Sequence, residues 1–191
     1  APYADYLKKL MGCWRDRWQD QQMPFVVVQL ANYDGRQQTG MPRPITYQEV
    51  PVNSGWAQLR EAQRTAAKAD SYTELAVIND LGETVDIHPL RKKEVAERIG
   101  LCFDRLVYND KKVTLYPEVI DSQLTMDNGQ WVIALTLDQP VVSGTLYEFE
   151  VAGEDGKFVN AEATADGNCI TILSPLTSDH SPQKVRYAWK D

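Results

Sequence analysis

Of the two histidines in this 191-residue chain, His88 is the one with two carboxylates within five residues. His88 lies two residues after Asp86, five after Glu83 and directly before Pro89, in the stretch INDLGETVDIHPLRKKEVAERI (residues 78–99). An imidazole next to a carboxylate is what a serine hydrolase needs. The imidazole takes the hydroxyl proton, and the carboxylate holds the ring in one tautomer and stabilises its protonated form. Asp86 or Glu83 could supply that carboxylate from the same short loop as the base. Spacing alone is also met by an ordinary surface loop, with Asp86 capping a helix and His88 in water.

The segments around the loop determine where it sits. The run ELAVI just before it reads as a buried strand, and LRKKEVAERIGLCFDRLVY after it reads as a helix with Leu90, Val95, Ile99, Cys102 and Leu106 along one stripe. Pro89 restricts the backbone and suits the start of that helix. Further upstream, YADYLKKLMGCWRDRW places Leu7, Leu10, Met11, Trp14 and Trp18 at helical spacing. FVVVQL is a second apolar strand, and SGWAQLREAQRTAAKA is a helix with Ser54 as its expected N-cap. Residues 33–54, rich in Pro and polar side chains, form a long loop. Strands joined by a crossover helix predict a parallel sheet covered by helices. In such sheets ligands gather beyond the carboxyl ends of the strands, where the His88 loop begins.

The character of the chain changes near Tyr108. From there, five short segments of partial alternation are separated by turn signals such as Asp127-Asn128-Gly129 and Asp166-Gly167-Asn168. The pattern predicts an α/β domain over residues 1–107 followed by an antiparallel β-sandwich over residues 108–191.

Composition narrows the function. Residues 1–107 carry 14 Lys+Arg against 14 Asp+Glu, and residues 108–191 carry 6 against 13, so the whole net charge of −7 lies in the second half. That half would repel a phosphate backbone, and nucleic acid is not an expected partner. No apolar run approaches the length of a membrane helix, and no membrane partner is expected. Cys13, Cys102 and Cys169 form neither a CxxC pair nor an even disulfide set, and Cys13 and Cys102 read as buried small hydrophobes. His88 and His180 are too far apart in sequence to suggest a metal cluster, so no metal or cofactor is expected. His180, in the polar stretch SDHSPQ, reads as a surface residue.

Several stretches together carry a family likeness. CWRDRWQDQQMPFVVVQLANY, SGWAQLREAQ, INDLGETVDIHPLRKKEVAERI and VRYAW, in that order, resemble landmarks of the sialate O-acetylesterase family. These are carbohydrate esterases of the SGNH (GDSL-like) hydrolase superfamily. The likeness runs from about Leu10 to Trp189, and DIHP followed by a Lys-containing helix is its most specific element. It implies part of a flavodoxin-like, three-layer α/β domain, a Ser-His-Asp triad and an accompanying β-sandwich. His88 matches the base of that triad. Many SGNH enzymes place the acid three residues before the histidine, where this chain has Val85. Asp86 is then the nearest match, with Glu83 the alternative. No serine of the chain lies in the Gly-x-Ser-Asn context of the family nucleophile.

The resemblance therefore implies the C-terminal portion of an acetylesterase. Its expected partners are an acetylated sugar and the absent N-terminal segment, supplied in the same chain or as a second one, and the expected location is secreted or periplasmic. Alone, the chain is expected to be inactive. Two other readings stand beside this one: a non-catalytic glycan-binding or scaffolding module, and an acetylesterase acting on another acetylated polysaccharide. Trp14 and Trp18 are expected in the core, Trp56 in a packing role rather than at the active-site side, and Arg60 and Gln63 on a solvated or salt-bridged helix face, with substrate contact the alternative.

Overall fold

The computed structural model describes residues 2–33, 51–83 and 86–190. Most of the expected loop over residues 33–54 falls outside these residues, as does Val85. The elements run α1 (Pro2–Trp18), β1 (Phe25–Val28), α2 (Gly55–Lys68), β2 (Thr73–Ala76), α3 (Lys92–Leu106), β3 (Val119–Asp127), β4 (Gln130–Leu137), β5 (Gly144–Ala152), β6 (Phe158–Asp166), β7 (Cys169–Leu173) and β8 (Lys184–Tyr187). They form two compact units. The first holds α1 to α3 with β1 and β2, and the second holds β3 to β8.

In the first unit β1 and β2 pair in parallel, Phe25 opposite Thr73 through Val28 opposite Ala76, with α2 as the crossover. The apolar and β-branched run FVVV suits a strand. The helix begins where the Ser54 hydroxyl accepts the Ala57 N–H at 2.9 Å, the N-cap expected from sequence. Helix α1 packs on α2 through Ala4, Ala62 and Ala66, with Leu7 against them. Small alanines let the two helices approach closely. Arg15 fastens the end of α1 to the turn before β2, reaching Asp70 at 2.6 Å and the Met23 carbonyl at 3.1 Å.

This packing moves two tryptophans out of the expected core. Trp14 is 47% exposed and Trp18 65%. The buried line of α1 is Ala4, Met11 and Arg15; Trp14, three positions beyond Met11, is rotated about 60° off it, and Trp18 is the last residue of the helix. Cys13 is likewise exposed rather than buried, whereas Cys102 is buried in α3 as expected. Burial pushes the Cys102 thiol up to about 11. The stripe expected along α3 is shallow, since Cys102 alone is fully buried there, and Leu90 lies before the helix and is 72% exposed.

The second unit is a single six-stranded antiparallel sheet, in the order β3-β4-β7-β6-β5-β8. The expected antiparallel pairing is present, but in one curled sheet rather than two stacked ones. The strand missing from the sequence reading is β6. Its alternation is carried by Ala161, Ala163 and Ala165 facing inward, with Glu162, Thr164 and Asp166 outward, so it has little hydrophobic contrast. Strand β6 joins β7 to β5. Without it, β3-β4-β7 and β5-β8 would be two separate sheets, which is the pattern a sandwich presents. Inward residues of β4 to β7, including Ile133, Leu135, Phe149, Val151 and Ile172, share one core. The β3–β4 turn has Asn128 at φ 47° and Gly129 at φ 81°, as a two-residue hairpin of opposite hand requires.

Candidate active site

The His88 loop leaves the carboxyl end of β2. Ile78 and Leu81 anchor its start, buried with Ala31 and packed by Val95 of α3. Between them the chain turns, with the Leu81 N–H on the Ile78 carbonyl at 3.0 Å. Asp80 sits at this turn, and its carboxylate takes both terminal nitrogens of Arg98 at 2.5 and 2.6 Å. Arg98 also donates to the Val77 carbonyl at 2.7 Å, and Arg91 donates to the Asp80 carbonyl. The Arg98 hydrogen bonds hold the Asp80 carboxyl below its usual range.

The segment after β1 lies against this loop. The Gly82 N–H donates to Asn32 Oδ1 at 2.9 Å. The β1 segment is in turn shaped from α2. The Gln63 amide accepts the Leu30 N–H at 2.9 Å and donates to the Val28 carbonyl at 3.5 Å. Gln29 donates to the Arg60 carbonyl at 3.3 Å, and Trp56 Nε1 donates to the Ala31 carbonyl at 2.7 Å. Arg60 and Gln63 are each 6% exposed, so the solvated face expected for them is an inward one. The Gln63 amide satisfies backbone groups where the strand ladder stops, and the Arg60 guanidinium reaches the Lys190 carbonyl, roles helical spacing cannot signal. Trp56 has the packing role expected of it.

His88 and Asp86 are in contact. Imidazole Nδ1 lies 3.0 Å from Asp86 Oδ1, and the same oxygen accepts the His88 backbone N–H at 2.8 Å. The backbone hydrogen bond first, and the imidazole second, hold the Asp86 carboxyl below its usual range. With the proton on Nδ1, the ring donates to Asp86 and leaves Nε2 free to accept a proton. The His88 side chain is 80% exposed and that of Asp86 49%. Glu83 is half-buried earlier in the loop, and the ring and the backbone N–H of His88 both bond Asp86. Asp86 does not cap α3, whose N-cap is Arg91.

The other candidates lie elsewhere. His180 is exposed in a turn, with Nδ1 3.1 Å from the Thr177 hydroxyl. Among the described residues no three His, Cys, Asp or Glu side chains gather as a metal site, and no helix is long and apolar enough to cross a membrane.

No protein-family profile matches the sequence. No curated protein matches it either. Among solved structures, the chain superposes on a carbohydrate acetylesterase from Xanthomonas citri with a TM-score of 0.77 and 29% sequence identity. The match covers 98% of this chain and 40% of that one, so this chain spans well under half the length of the esterase it resembles. In fold and in sequence it is related to a carbohydrate esterase.

Proposed function

We propose that the chain is the base-bearing portion of a carbohydrate O-acetylesterase with SGNH-type architecture, and that its substrate is an O-acetylated sialic acid. The observation that carries this reading is the His88–Asp86 contact at the carboxyl edge of a parallel strand pair. It occurs in a chain that superposes on a carbohydrate acetylesterase.

In this reading the serine nucleophile and the oxyanion donors lie on a segment outside this chain. The serine oxygen attacks the acetyl carbonyl while His88 Nε2 takes its proton. Asp86 steadies the resulting imidazolium through Nδ1, and the same proton then goes to the departing sugar oxygen. Water, activated by His88 in the same way, releases acetate from the acyl-enzyme. The chemistry uses no metal.

Exposed apolar surface supports a partner segment. Among the described residues β1 pairs only with β2, although parallel sheets are ordinarily covered and extended on both sides. Val28 is 38% exposed, and Trp14 and Trp18 stand clear on α1. The test is acetate release by the complete protein from O-acetylated sialic acid, with acetylated xylan for comparison. Release from sialic acid that is lost in His88→Ala supports the proposal. Release from xylan alone moves the substrate to a polysaccharide. Sugar binding without any release would make the protein a glycan-binding module.

A further inference from the structure

The His88 ring bonds Asp86, a residue two positions away, and the His88 side chain is 80% exposed. Packing therefore does not set its position. A base that must meet a nucleophile within a few tenths of an ångström needs its backbone held from elsewhere.

Three residues provide such a hold. Asp80 leaves β2 eight positions before His88, and Arg91 follows His88 by three. The Arg91 guanidinium bonds the Asp80 carbonyl, so the two ends of the loop are joined directly. The Asp80 carboxylate is forked by Arg98 of α3, which also reaches the carbonyl of Val77, the residue directly after β2, so the junction is tied to α3 and to the exit of β2 together. Between the junction and the imidazole lie only Leu90 and Pro89, and proline removes one backbone rotation. The side chains of Asp80 and Arg98 are 62% and 34% exposed. An exposed ion pair adds little to stability. A planar fork with two parallel hydrogen bonds defines a geometry, however, and that is the property a loop junction uses.

We infer that the Asp80–Arg98–Arg91 junction is a positioning device that sets the place of the His88 imidazole in the reaction. This rests on the esterase reading above. In the complete protein, Arg98→Met should lower kcat by about tenfold or more with KM little changed, because a small misplacement of a reacting group is costly. Arg98→Lys keeps the charge but loses the fork and should recover only part of the rate. Asp80→Asn, which preserves shape, should reproduce the Arg98→Met pattern and covers the case in which Arg98→Met fails to fold.

His88→Ala is run alongside. If it abolishes turnover while folded Arg98→Met and Asp80→Asn leave kcat unchanged, the junction is only structural and this inference is overturned. If His88→Ala itself retains turnover, the esterase reading falls and the inference with it.

Discussion

A Cβ added to Gly82 would lie 2.0 Å from the carbonyl oxygen of Asn32 and 2.4 Å from its side-chain oxygen. No flexible side-chain tip can yield here, because the first obstacle is backbone. The two loops leaving β1 and β2 touch at this point, so any residue larger than glycine must push them apart. Gly82→Ala should destabilise the complete protein by roughly 1–3 kcal/mol, as overpacking generally does. Asn32→Ala removes only the acceptor of the Gly82 N–H and should cost about 1 kcal/mol. Chemical denaturation of both variants is the measurement. If Gly82→Ala were the milder change, the close approach of the loops would be refuted.

Acid should loosen the Asp80 junction. Arg98 holds the Asp80 carboxyl below its ordinary 3.8. The pair therefore contributes its full share of stability above that value and loses it as pH falls through the lower folded value. Because the carboxylate is exposed, the share is small, at most about 1 kcal/mol. Comparing the denaturation midpoints of wild type and Asp80→Asn should show a constant small difference near neutral pH, shrinking in strong acid. A difference that grew toward acid would contradict the assignment.

What sequence conveyed depended on contrast. The parallel pair was legible because FVVV and TELA flank a helix with a clear N-cap. Strand β6 was not, because alanines face its core and small polar residues its outside. The exposure of Trp14 and Trp18 was hidden because periodicity locates an apolar stripe but not which part of it meets a neighbour, and α1 meets α2 through alanines. The proximity of His88 to Asp86 could be anticipated from spacing. The inward roles of Gln63 and Arg60 could not, because the backbone groups their side chains meet, at Leu30 and at Lys190, are distant in sequence.

The 191-residue chain studied alone should behave as an incomplete domain. Strand β1 has one partner among the described residues, and Tyr6, Leu10, Trp14 and Trp18 form an exposed ridge at four-residue spacing along α1. The expectation is strong binding of a hydrophobic dye and a broad melting transition. Activity on p-nitrophenyl acetate should not exceed that of His88→Ala, since the proposed function puts the nucleophile on another segment. A sharp cooperative melt with little dye binding, or turnover above the His88→Ala control, would show that the chain needs no partner segment.

The proposed function requires one carboxylate to orient His88, and variants of the complete protein decide which. His88→Ala removes the proton acceptor itself and should lower kcat on an O-acetylated sialic acid by about a thousandfold or more, with a modest change in KM. Asp86→Asn keeps the side-chain shape and an oxygen able to accept the His88 backbone N–H. It replaces a charge that favours the Nδ1 proton with a neutral amide, and the amide can present its own N–H to the ring. The wrong tautomer then competes, and the loss should fall between roughly a hundred- and ten-thousandfold. Glu83→Gln should cost less, because the carboxylate 3.0 Å from Nδ1 is that of Asp86. The ordering of the two acid variants decides the question. If Glu83→Gln proves the more damaging, the loop rearranges when the nucleophile segment docks, and Glu83 rather than Asp86 orients the base.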